Sequence, residues 1–201
     1  MSKIIVIGFF QETIELCERC GYEIAGYVDN ERLSEAYEYL GNDEEFLQKR
    51  DIYVNIPLFL TPDNPTIREK LYDLYSEKGF SFQTVISPLA IVSKSAMIGE
   101  GCMVQDGCNI SSGVELGKCV RVNSMANCMH DVVIDDFCVV APSSVLLGHV
   151  VVKNKAYIGA NATVLPNIVV DGGIVGAGAV LTKNVKNKIA VGVPAEFRSM
   201  K

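Results

Sequence analysis

Residues 104–147 read VQDGCNISSGVELGKCVRVNSMANCMHDVVIDDFCVVAPSSVLL. An aliphatic or similar residue returns there every sixth position: Val104, Ile110, Leu116, Val122, Cys128, Ile134, Val140 and Leu146. Followed outward, the same frame starts at Val92 and Ile98 and runs on through Val152, Ile158, Val164 and Val170. Four places after each stands a small or β-branched residue, from Ala96, Cys102 and Cys108 to Ala162, Ile168 and Ile174. Fourteen consecutive matches exclude an α-helix, with its period of 3.6, and a plain hairpin sheet, with its period of two. A period of six is a hexapeptide repeat and predicts a parallel β-helix, each unit supplying one short side of a coil. Side chains of similar size then stack inside, which places Cys102, Cys108, Cys128 and Cys138 in the interior as small apolar residues. The frame slips by one residue near Gly172-Gly173 and resumes with Val175 and Leu181.

Composition divides the chain near Pro88. Residues 1–87 hold 13 of the 16 aromatics and 8 basic against 16 acidic side chains; residues 88–201 hold 12 of the 17 glycines. Such a shift marks two units, 1–87 and 88–201, each with its own core. In the first, strands alternate with helices. Lys3–Gly8 reads as a buried strand, Gln11–Cys20 as a helix closed by Gly21, and Tyr22–Val28 as a second strand. Glu31–Leu40 reads as a helix, Ile52–Leu60 as a third strand and Phe80–Ile86 as a fourth. Asn64-Pro65 opens a further helix with a capping side chain and proline in the first turn. Ile67, Leu71 and Leu74 form its apolar stripe and Gly79 ends it. The fold expected is thus α/β: a small, mostly parallel Rossmann-like sheet followed by the β-helix.

The 201 residues carry a net charge of −6, which argues against nucleic acid as the main partner. No stretch approaches the ~18 uninterrupted apolar residues of a membrane span. The run Ile4–Phe10 is short and quickly followed by Gln11-Glu12, unlike a signal peptide, so the expected location is cytoplasmic. Seven cysteines, an odd number, do not suggest a disulfide framework. Cys17 and Cys20 form a lone CxxC that reads as part of a short helix also holding Ile14, since no second CxxC completes a zinc site.

Four stretches are more specific than the repeat itself: Val122-Asn123 through His130-Asp131, Gly159–Pro166, Gly176–Val180 and Gly192–Ala195. Together with a Rossmann-like unit in front of the repeat, they resemble the NeuD/PglD family of sugar O- and N-acetyltransferases. The resemblance implies a left-handed β-helix, acetyl-CoA as co-substrate, no metal, and a homotrimer with active sites between subunits. It also implies that the first unit receives a nucleotide-linked amino sugar.

Acetyl transfer to an amine needs the neutral amine, and a histidine base is the usual means of taking its proton. The chain offers only His130 and His149. His130 falls at the turn of its hexad, so it projects from a coil corner, and the adjacent Asp131 orients the ring. Three hexads make a coil of eighteen residues, which stacks Gly148 over His130; glycine there lets an N–H approach a developing oxyanion. In the resembled family the matching histidine is the general base, the following acid raises its basicity, and the amide at the Gly148 position serves both oxyanion and acetyl-CoA.

The same resemblance places Asn123 near the acceptor, Val139, Ala160 and Ala177 against acetyl-CoA, and Asp29-Asn30 near the nucleotide. The family's glycine-rich first loop reads here Gly8-Phe9-Phe10-Gln11-Glu12-Thr13, with Gly8 retained. His149 lies one position off the stack and reads as solvated or substrate-facing. Lys183, Lys186 and Lys188 either draw the phosphates of CoA or form a solvated tail. N-acetylation of a nucleotide-linked amino sugar is the leading expectation. The alternatives are O-acetylation of a sialic acid or similar hydroxyl, and a non-enzymatic scaffold. A zinc hydratase on such a helix needs three histidine ligands, and the chain has two histidines.

Overall fold

A computed structural model describes residues 2–153 and 155–200. It separates into two compact units, Met1–Val85 and Ile86–Lys201. In the first, β1 (Ser2–Ile7) is the middle of a three-stranded parallel sheet, between β2 (Tyr22–Val28) and β3 (Leu58–Leu60). A middle strand covered on both faces reads as an unbroken apolar run, and Ile4, Ile5, Val6 and Ile7 are all buried. Helix α1 (Gln11–Arg19) connects β1 to β2 and buries Ile14, Leu16 and Cys17, while Cys20 is only half-buried at its C-cap. Helix α2 (Asp43–Gln48) opens on an Asn42–Glu45 capping box, and α3 (Arg50–Tyr53) follows at once. Helix α4 (Pro65–Glu77) begins as the sequence predicts, with Asn64 Oδ1 accepting from the N–H groups of Thr66 and Ile67.

Elsewhere this unit departs from the expected pattern. Glu31–Leu40 is not helical. Tyr27 donates its N–H to Glu38 O and accepts from Leu40 N–H, drawing this segment along the edge of β2. The Tyr27 hydroxyl also accepts from the N–H groups of Leu33 and Ser34, and its ring packs on Tyr39 at 5.4 Å. Aromatic packing and these bonds outweigh a helix propensity that is worth only tenths of a kcal/mol per residue. The strand expected over Ile52–Leu60 shrinks to Leu58–Leu60, because residues 50–53 are wound into α3 with Tyr53 stacked on Phe46. Of Phe80–Ile86, Phe82 makes a single bridge to Leu58, and only Val85–Ile86 is a strand, belonging to the first sheet of the β-helix. Where a Rossmann-like sheet is expected, the described residues form a small parallel sheet of three strands.

Helix α4 is rotated from its predicted stripe. Ile67 is exposed and Leu71 and Leu74 are half-buried, whereas Arg68 and Tyr75 are buried. The guanidinium of Arg68 is held there by donating to Pro62 O and Asp63 O at 2.8 and 2.9 Å.

The second unit is a parallel β-helix of three sheets, each built from strands mostly two residues long. Asn127 pairs with Asn109 below and Val145 above, and Val133 with Glu115 and Val151, so each step up is eighteen residues. The sixth-position residues form a continuous interior column in which Val104, Ile110, Val122, Cys128 and Val140 are fully buried. At the slip, Tyr157 pairs with Ile174, a step of seventeen, and the next step shortens to fifteen, with Ile174 opposite Ile189. This contraction turns Ile174 outward, 37% exposed, so it is not the interior companion that the repeat suggests; Val175 takes the inner place. The chain closes with an antiparallel strand pair, Lys188–Val191 against Glu196–Ser199.

Burial pushes the thiols of Cys108 and Cys128 up to about 11 and about 12. They stay protonated through neutral pH, and the thiolate is the reactive form. A maleimide at neutral pH should therefore label Cys20 first in the folded protein, with Cys102, Cys108, Cys128 and Cys138 reacting only after denaturation. Peptide mapping by mass spectrometry checks this; early adducts on the β-helix cysteines would contradict the interior column.

Candidate active site

His130 and Asp131 form one corner of a coil, between the strands Asn127–Cys128 and Val133–Ile134. The second residue of this corner takes the left-handed backbone conformation, with Asp131 at φ +59°. That costs an ordinary L-residue roughly 1–2 kcal/mol, and Asp is among the residues that tolerate it best. The turn throws both side chains outward, each about half exposed. His130 Nδ1 lies 2.9 Å from Asp131 Oδ2. A carboxylate only accepts, so the shared hydrogen sits on Nδ1 and the lone pair of Nε2 is free.

Gly148 lies one coil above, as the spacing predicts. His149 N–H donates to His130 O at 3.2 Å, fixing the two corners in register. A Cβ placed on Gly148 would stand 2.5 Å from Cε1 and 2.6 Å from Nε2 of His130. The imidazole therefore rests against the glycine, and any side chain at this position would force the ring to shift. The ladder bonds on either side are made by the amides of Leu147 and His149, to Val164 O and His130 O, and neither uses the Gly148 N–H. Below the pair, a Cβ on Gly113 would run into the Asp131 carboxylate, so glycine makes room on that side too.

His149 joins this corner more closely than its place off the stack suggests. Its Nδ1 is 3.8 Å from Asp131 Oδ2, and its ring stands edge-on to that of His130 with centroids 5.1 Å apart. The same spacing could have found it: eighteen residues beyond Asp131 is His149. His130 and Gly148 share one column of the corner, Asp131 and His149 the other.

The remaining candidates lie elsewhere. Asn123, Ala160 and Ala177 belong to the preceding corner of the coil, between the strand rows of Arg121–Val122 and Asn127–Cys128. Asn123 is half-buried, with its N–H given to Val140 O; Ala160 is half-buried and Ala177 exposed. Val139 has a fully buried side chain, and its N–H is given to Ala156 O. Lys186 pairs with Asp171 at 3.1 Å, while Lys183 and Lys188 are exposed.

In the first unit, Gly8 has φ +84°, and a Cβ there would stand 2.6 Å from Thr61 Oγ1, which itself donates to Gly8 O. The carboxylate of Asp29 accepts from the N–H groups of Phe9 at 2.8 Å and Asn30 at 2.7 Å, so it organises the loop after β1. Phe9 fills the space of a glycine-rich loop, its ring 4.8 Å from that of Tyr27.

No family model matches the sequence. Among solved structures, the chain is similar to GDP-perosamine N-acetyl transferase from Caulobacter crescentus, in a histidine-to-alanine variant bound to CoA and GDP-perosamine. That match covers 100% of this chain and 98% of the other, with 29% identity and a TM-score of 0.93. The acetyltransferase domain of PglB from Neisseria gonorrhoeae FA1090 matches 98% of this chain and 100% of its own, with 26% identity and a TM-score of 0.90. The chain is a hexapeptide-repeat acyltransferase. WeeI from Acinetobacter baumannii AYE shares the fold at 24% identity, a TM-score of 0.87 and coverage of 98% and 100%.

The contact between Gly148 and His130 makes this acyltransferase testable at one atom. Gly148→Ala should displace the His130 ring and lower kcat/KM by on the order of tenfold to a hundredfold, the penalty of a misplaced reacting group. Circular dichroism should show the β-helix intact. Full activity in that variant would mean that the ring position does not matter.

Proposed function

We propose that this acyltransferase moves the acetyl group of acetyl-CoA to the amino group of a nucleotide-linked amino sugar. The observation that carries the reading is the His130–Asp131 pair resting on the Gly148 backbone. The neutral amine attacks the thioester carbonyl carbon, and Nε2 of His130 takes the proton that nitrogen sheds as the C–N bond forms. The Gly148 N–H donates to the tetrahedral oxyanion. Collapse breaks the C–S bond, and the imidazolium returns the proton to the departing sulfur as CoA forms. Asp131 holds the ring in the reactive tautomer and stabilises its positive charge. No residue is acylated.

The assembly in this reading is a homotrimer of left-handed β-helices with sites between subunits, acting in the cytoplasm. Its support is the separation within one chain: Asn123, Ala160 and Ala177 stand a full coil side from His130, so a site that joins them needs a second corner from a neighbouring subunit. The Rossmann-like first unit serves the nucleotide, through the loop that Gly8, Asp29 and Asn30 shape. The Caulobacter crescentus relative binds CoA and GDP-perosamine, and a structure of the Neisseria gonorrhoeae domain holds acetyl coenzyme A, which supports both substrate classes.

Free CoA release should be followed over a panel of nucleotide-linked amino sugars and hydroxyl sugars. Turnover on an amino sugar is expected, and turnover confined to hydroxyl acceptors would replace this reading with O-acetylation. His130→Ala should lower kcat roughly 10²–10⁴-fold while leaving acetyl-CoA binding within a few-fold, and Asp131→Asn should lower it less. Undiminished turnover in His130→Ala would overturn the assignment. Light scattering should give three times the chain mass.

A further inference from the structure

Two imidazoles meet one carboxylate at the His130 corner, and acetyl transfer uses only one of the rings. Ligand atoms of His130, Asp131 and His149 all lie within 4.8 Å of one another, on side chains about half exposed to solvent. Both Nδ1 atoms address the same carboxylate oxygen, at 2.9 and 3.8 Å. We propose that this corner is an inhibitory site for a borderline divalent transition metal, Zn²⁺ above all, held by His130, Asp131 and His149. The inhibition rests on the reading of His130 as the base; the binding does not.

Imidazole nitrogen and carboxylate oxygen are zinc ligands at about 2.0–2.2 Å, so two of them on a tetrahedral ion stand roughly 3.3 Å apart. The two observed separations bracket that value, and a small rotation of the exposed His149 ring closes the longer one. The backbone fixes the rest. His130 and Asp131 are adjacent, and the His149 N–H bond to His130 O joins the two coils at this point. Mg²⁺ and Ca²⁺ fit poorly, because they favour oxygen ligands and this set is two-thirds nitrogen. The fourth position faces solvent and takes water.

The effect on catalysis follows from the imidazole itself. A neutral ring carries one hydrogen, and a metal on Nδ1 leaves that hydrogen on Nε2. Nε2 then has no lone pair for the amine proton, and Asp131 is drawn from the ring to the ion. The hydrogen moves from Nδ1 to Nε2 through solvent, so binding at this ring releases no net proton.

The test uses metal-free protein titrated with Co²⁺ and then Zn²⁺, without CoA, whose thiol would compete for zinc. One Co²⁺ per chain should give the visible bands of a low-symmetry nitrogen–oxygen site and be displaced by Zn²⁺. His149→Asn, chosen because Asn accepts the left-handed backbone of this corner, should weaken that binding at least tenfold with an unchanged melting curve. In turnover measured by mass spectrometry of the sugar, with free Zn²⁺ held constant by a metal buffer so that released CoA does not strip the site, saturating Zn²⁺ should suppress the wild-type enzyme, with recovery on EDTA. His149→Asn should keep its basal turnover and resist. Absence of stoichiometric binding, equal binding by His149→Asn, sulfur charge-transfer bands from Cys17 and Cys20, or full turnover of the zinc-loaded enzyme would each overturn the proposal. The cobalt spectrum stands even if no acceptor sugar is found, so failure of the metal site and failure of the acetyl-transfer reading are told apart.

Discussion

The backbone ladder of the β-helix, which sets residue i beneath residue i + 18, is the constraint from which the candidate site derives. Its bonds join parallel strands of only two residues, so no single coil holds a side chain in place. Register is kept by the column of buried aliphatic and cysteine side chains, whose sizes match from coil to coil. A one-residue shift of a coil would turn that column outward, and the hydrophobic penalty for doing so is large compared with any single corner contact. Positions on the outer corners are therefore placed by the interior, without needing interactions of their own.

This explains how an exposed cluster can be precise. His130, Asp131 and His149 are half in solvent, where ion pairs contribute little to stability. Their mutual geometry comes from the corner backbone, with Asp131 and His149 both in left-handed conformation at φ +59° and +61°. Two glycines complete it by omission: a side chain at Gly148 would occupy the space of the His130 ring, and one at Gly113 that of the Asp131 carboxylate. Rigid elements carrying reactive groups on their turns are the usual scaffold for preorganised chemistry. The first unit uses a different device, in which Asp29 ties the backbone of Phe9 and Asn30 while aromatic rings fill the loop.

The two units differ in how much of them can be read in one dimension. In the β-helix every hexad repeats one local environment, so a period of six states both the strand and its inward face. It fails at the contraction after Gly172, where coils of seventeen and fifteen residues turn Ile174 out. In the first unit the decisive contacts are aromatic and non-local. Tyr27 against residues 33–40, and Phe46 against Tyr53, override helix and strand preferences that each amount to a fraction of a kcal/mol. Arg68 defeats the apolar stripe of its helix because two carbonyls accept its buried charge, and a residue called polar by its type takes a core position.

From the amino-acid order alone came the coil, its eighteen-residue pitch, and the pairing of His130 with Asp131 over Gly148, since each follows from periodicity or adjacency. The same spacing stacks His149 on Asp131 and sets Asn123, Ala160 and Ala177 at a different corner from His130; only the folded chain decided that the His149 ring turns to that carboxylate and that the Val139 side chain is buried. Those facts depend on the direction in which a side chain leaves its turn and on what covers it. Burial and direction are properties of three-dimensional neighbours, which a repeat of identical spacing does not record.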